Sequence, residues 1–142
     1  MDVRKVKDYA SYKLKSSKLT NIHSPFLYEL ASKVIYESGE YYSYRHIENI
    51  RNKWLGDNTT ISVNDFGAGS KIFKEGDRKI RDICRYSVKP KKYGQLLFRL
   101  INFFQPKHIL ELGTSLGLTT IYMASAVRNS NVISIEGDHN TY

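Results

Sequence analysis

A single cysteine, Cys84, stands in 142 residues, so no disulfide can staple this chain internally. Its neighbours Ile80, Ile83 and Tyr86 mark it as a core thiol in a reducing compartment rather than as a nucleophile. Histidine is also scarce. His23, His46, His108 and His139 are scattered without metal-ligand spacing, so no metal site is expected, and His23 reads as a structural histidine beside a turn. No apolar run approaches the ~20 residues of a transmembrane helix, and MDVRKVKDYASYKLK holds no apolar leader core. The expectation is a soluble cytoplasmic protein without membrane contact. Internal repeats and low-complexity tracts are absent too.

Acidic side chains are in deficit, 14 against 22 basic, for a net charge of +8. The imbalance is local. Residues 71–107 carry 11 basic and 3 acidic side chains, a surplus equal to that of the whole chain. Such a block invites a nucleic-acid or anionic-ligand reading. The plainer reading is a solvated helical face whose lysine stems cover an apolar interior, and it is favoured because no RNA-binding motif is recognisable. What the chain does have is enough apolar material, 41% with 13% aromatic, to build a core.

The first 58 residues read as helical. Residues 2–17 can form a polar helix with few core positions. Ser24 is a candidate N-cap with Pro25 at the first helical position, followed by the apolar stripe Phe26, Leu27, Leu30, Val34 and Ile35 and a stop at Ser38-Gly39. A third helix places Tyr44, Ile47, Ile50, Arg51 and Trp54 on one side and stops at Gly56.

Residues 59–106 are harder to read. Ile61 and Val63 suggest a strand running into Asp65-Phe66-Gly67-Ala68-Gly69-Ser70, a glycine motif that resembles a ligand-binding turn. No second strand ending in an acid is evident between Lys71 and Lys92, only a basic helix around Ile80, Ile83 and Cys84. A kinase reading fails for lack of a catalytic-loop His-Arg-Asp. A surface loop and a loop closing over a site formed elsewhere both remain open. Residues 91–105 form an amphipathic helix with Leu96, Leu97, Leu100, Ile101, Phe103 and Phe104 as its apolar face, ended by Gln105-Pro106.

The stretch HILELGTSLGLTTIYMASAVRNSNVISIEGD, residues 108–138, organises the rest. Ile109, Leu110 and Leu112 make a short apolar strand. Gly113 and Gly117 bracket a turn, and Leu118, Ile121 and Tyr122 recur at helical spacing. Val132, Ile133 and Ile135 make a second strand that ends in Glu136. A βαβ crossover sets those strands side by side and brings Glu136 to the glycine turn. Glycines admit a ligand to the backbone, and the helix start over residues 116–119 offers N–H groups. A carboxylate about 20 residues past such a turn can accept from both hydroxyls of a ribose. Glu136 lies 19 residues after Gly117. The spacing is Gly113-Thr114-Ser115-Leu116-Gly117, with Ser115 where a dinucleotide fingerprint has its second glycine, which disfavours NAD.

These residues resemble a family. Glu111-Leu112-Gly113-Thr114-Ser115-Leu116-Gly117-Leu118-Thr119 is similar to the first motif of class I S-adenosylmethionine-dependent methyltransferases, closest to the O-methyltransferase branch, and residues 132–136 resemble the second. His23-Ser24-Pro25-Phe26 and the Asp65–Ser70 segment are similar to features of a bacterial methyltransferase subgroup. The resemblance implies that Gly113, Thr114, Ser115 and Gly117 wrap the methionine portion, that Glu136 binds the ribose, and that Glu111 sits beneath the amino group. No catalytic residue is assigned. The expected fold is α/β: a helical region (1–58), a glycine-loop and basic helical segment (59–106), and the first βαβ unit of an incomplete Rossmann-like methyltransferase sheet (107–142). The expected activity is methyl transfer from S-adenosylmethionine to an unidentified, small-molecule acceptor. The 142-residue chain is expected to be a truncated product, inactive alone and prone to self-association. The alternative is a basic RNA- or anion-binding module using residues 71–107.

Overall fold

A computed structural model describes residues 3–15, 19–64 and 76–141. They belong to two compact units, Met1–Glu37 and Ser38–Tyr142. In the first, α1 (Val3–Lys15) is helical as expected and buries none of its residues. Helix α2 (Pro25–Leu30) also starts as expected, with Ser24 Oγ accepting from Leu27 N at 3.4 Å and Pro25 leading the first turn. It then widens into a π turn, Ala31–Ile35, and ends ahead of the predicted Ser38-Gly39 stop. Ser32 Oγ donates to the carbonyls of Tyr28 and Glu29, at 2.8 and 3.2 Å, and competes with the backbone ladder just there. The predicted stripe is corrected as well: Val34 is buried and Leu30 half-buried, while Phe26, Leu27 and Ile35 are exposed. His23 is exposed, a surface side chain rather than a structural one.

The second unit is built around an aromatic core. Helix α3 (Tyr42–Leu55) stops at Gly56 as predicted and contributes Tyr44 and Ile47. They meet Cys84 of α4 (Ile80–Tyr86), Phe98 of α5 (Lys91–Phe104), and Leu118 and Tyr122 of α6 (Leu118–Ala124). The buried side of α5 is Gly94, Phe98 and Ile101, so the predicted face is corrected: it omitted Phe98 and included Phe104, which is exposed. Gly94 explains the rotation. A Cβ there would lie 2.5 Å from the Tyr122 ring, so only glycine lets that ring pack flush against α5.

A strand the sequence hid precedes α4. Strand β1 (Thr60–Val63) pairs antiparallel with β2 (Gly76–Lys79), setting Ile61 opposite Arg78 and Val63 opposite Gly76. Gly-Asp-Arg-Lys has no apolar alternation to announce a strand. The Asp65–Ser70 segment lies outside the described residues.

The βαβ unit forms as read. Strands β3 (His108–Leu112) and β4 (Asn131–Ile135) are parallel, with Glu111 opposite Ser134 and Leu112 opposite Ile135. Asn131 N donates to Lys107 O and Gly113 N to Ile135 O, extending the ladder at both ends. Alternation sends Ile109, Glu111, Val132 and Ser134 inward. Leu110, Leu112, Ile133 and Ile135 point the other way and are 51–76% exposed. The described residues are thus mixed α/β, with two separate two-stranded sheets. Among the described residues no helix is long and apolar enough to cross a membrane.

Candidate functional site

Residues 113–117 leave the tip of β3 and must reverse direction before α6. Three left-handed residues do this: Gly113 (φ 91°), Ser115 (φ 48°) and Gly117 (φ 71°). At Gly113 a Cβ would meet nothing within 4 Å, so the space beside this backbone is open. Gly117 N closes the turn on Thr114 O at 2.9 Å, and Gly117 caps α6. The helix begins at Leu118, two positions later than the helix start expected at Leu116. It is also a short helix of seven residues.

Glu136 comes to this turn as predicted. Its Oε2 accepts from Ser115 N at 2.7 Å, and its Oε1 accepts from Gly137 N (2.8 Å) and Asp138 N (3.1 Å). Three main-chain donors fix the carboxylate. A carboxylate offers about four acceptor positions, so about one is left, not the two that a pair of ribose hydroxyls would fill.

Below the turn lies a relay of hydroxyls. Thr120 Oγ1 and Ser134 Oγ each approach Glu111 Oε2 at 2.5 Å, and Thr114 Oγ1 lies 2.6 Å from Ser134 Oγ. Ser134 has one proton and gives it to the carboxylate, so Thr114 donates to Ser134. The buried Glu111 is thereby oriented, and a negative charge is fixed at the base of the turn.

Two clefts flank Ser115. The first, about 260 Å³, is lined by Glu111 to Ser115, by Leu118 and Thr119, and by Ser87, Val88 and Lys89 of the α4–α5 connection. The second, about 340 Å³, lies between the β1–β2 hairpin and the tip of β4 and is lined by Asn64, Arg78, Ser115, Glu136 and Asp138, among others. Of the six predicted residues, Glu111, Gly113, Thr114, Ser115 and Glu136 line these clefts; Gly117 lines neither and only turns the chain.

The sequence reading missed Asp138. It is 4% exposed, and its Oδ1 accepts from Asn64 N at 3.2 Å, tying the β4 tip to the hairpin. Its Oδ2 is buried without a hydrogen-bond partner among the described residues. An acceptor left so costs about 1–3 kcal/mol and marks a place for a donor. Its one sequence signal was its position two residues past Glu136; Asn64 and Arg78 gave none. Among the described residues no three His, Cys, Asp or Glu side chains converge on a metal position. The chain matches no protein-family model, no curated protein and no solved structure.

Proposed function

We propose that this chain binds S-adenosylmethionine across the two clefts and serves methyl transfer to an oxygen or nitrogen acceptor. The observation that carries the reading is the 2.7 Å contact between Ser115 N and Glu136, which joins a glycine turn to an acidic strand tip. The donor set fits such a ligand. Gly113 opens its backbone to the first cleft, so the methionine portion can lie against the main chain. Glu136 keeps about one acceptor position, and Asp138 is a second carboxylate lining the same cleft. Together they replace the double ribose contact first assigned to Glu136 alone. Glu111, clamped by Thr120 and Ser134, sets a negative charge beside the first cleft, suited to an ammonium or sulfonium group. Ser115 carries a side chain where NAD's pyrophosphate needs bare backbone, which counts against a dinucleotide.

When bound, S-adenosylmethionine, held by Gly113, Thr114, Ser115 and Glu136 with Glu111 beside the first cleft, would supply an electrophilic methyl group for direct displacement by the acceptor. What the protein's residues contribute to such a displacement is position. Calorimetric titration tests the reading. S-adenosylmethionine should bind and NAD should not, and Glu136→Gln should weaken binding by about 1.5–3 kcal/mol for the lost charged hydrogen bond. A folded wild-type protein that binds neither ligand, or NAD alone, contradicts it.

A further inference from the structure

The sequence has no acidic side chain from Ile83 to Lys107, while Arg85, Lys89, Lys91, Lys92, Arg99 and Lys107 are basic. The fold gathers the densest part of this run into one place. The last turn of α4, the connection to α5 and the first turn of α5 expose Arg85, Lys89, Lys91 and Lys92. Two aromatic rings stand among them, Tyr86 at 52% and Tyr93 at 48% exposure, with Lys92 Nζ 4.8 Å from the Tyr93 ring centroid.

This patch is fixed rather than trailing. Ser87 N and Val88 N both donate to Ile83 O, and Arg51 donates to Lys89 O at 3.0 Å while Glu48 holds the same guanidinium. Among the described residues Glu48 pairs with Arg51, and Asp82 with Arg81 at 3.6 Å. The patch also adjoins the site, because Ser87, Val88 and Lys89 line the first cleft. A solvated helical face needs no place beside a cleft.

We infer that this surface binds single-stranded nucleic acid, with phosphates on Arg85, Lys89, Lys91 and Lys92 and bases stacked on Tyr86 and Tyr93. Alternating cations and aromatic rings is the arrangement that tracks a charged backbone with splayed bases. A rigid duplex offers it no base faces. Resting on the cofactor reading above, the inference makes a base or sugar of that strand the class of methyl acceptor delivered to the first cleft.

Fluorescence anisotropy with labelled single-stranded RNA and DNA oligonucleotides tests the binding without any cofactor. Four phosphate contacts predict log K falling with log salt at a slope of about −3 between about 50 and 200 mM salt. Charge reversal at Lys91→Glu with Lys92→Glu should roughly halve that slope, and Tyr86→Ala with Tyr93→Ala should lower affinity at least about fivefold at unchanged slope. Either sugar binding in this manner supports the inference. No salt-sensitive binding, indifference to the lysine or tyrosine changes, or equal competition by polyglutamate of matched charge overturns it. S-adenosylmethionine titrated into the lysine variant should bind as it does to wild type, so failure of the nucleic-acid surface and failure of the cofactor reading are read separately.

Discussion

Tyr122 is the side chain on which the second unit closes. Its ring is fully buried, meets Tyr44 edge-on at 5.8 Å, and donates its hydroxyl proton to Glu48 Oε1 at 2.7 Å. Burial, with Glu48 accepting the proton, pushes this phenol above its ordinary value of 10.0. The folded state therefore favours the neutral form. That contribution is intact below the ordinary phenol value and is lost as pH climbs from there through the raised one. Tyr122→Phe should cost about 1.5–3 kcal/mol at neutral pH, and urea melts should show the deficit shrinking in alkali. A deficit constant with pH would sink this assignment. Gly94→Ala should cost about 1–3 kcal/mol by overpacking, because its Cβ would fall 2.5 and 2.6 Å from two carbons of that ring. Cys84 was legible as a core thiol from its apolar neighbours. Burial raises its pKa, so alkylation should follow unfolding and not precede it. Ser115 was legible only in part. Its place in the glycine spacing was noted, but its left-handed φ of 48° was not. Ser115→Gly should leave stability unchanged or raise it slightly, since the backbone strain of a side chain in that region disappears.

Among the elements, the parallel unit was legible because both of its strands are short apolar runs and a glycine turn precedes the helix. Its two faces differ in a way that a run of apolar letters could not convey. Leu118, the first residue of α6, is buried in the core, whereas Leu112 on the outer face of the strands is largely exposed. Leu118→Ala should therefore cost about 2–5 kcal/mol, and Leu112→Gln should stay within about 0.5 kcal/mol. Equal losses in denaturant melts would show that the outer face is packed after all. Strand β2 escaped notice because Gly-Asp-Arg-Lys carries no apolar alternation, although Arg78 is turned to the same side as Ile61. The rotation of α5 escaped because a single missing side chain at Gly94, not the apolar count, decides which face goes in. The end of α2 depends on Ser32 bonding back to two carbonyls, a local competition that hydrophobic periodicity does not register.

At the scale of the molecule, the candidate site is made where distant segments converge. Glu136 and the glycine turn could be linked from spacing alone, since one crossover joins them. Asn64 and Arg78 come to Asp138 from a hairpin more than 50 residues upstream, and no pattern in the sequence predicts that meeting. The same holds for the α4–α5 connection, whose basic surplus was visible as a count while its place at the mouth of the first cleft was not. The second unit thus sets an oriented carboxylate, an open stretch of backbone and an unsatisfied acceptor around Ser115. Amide-resolved NMR with S-adenosylmethionine added in steps tests that arrangement most directly. Saturable shifts are expected at the Gly113, Thr114, Ser115, Gly137 and Asp138 amides, with the α3 amides unmoved. Shifts absent at saturating ligand, or confined to residues away from both clefts, would contradict it.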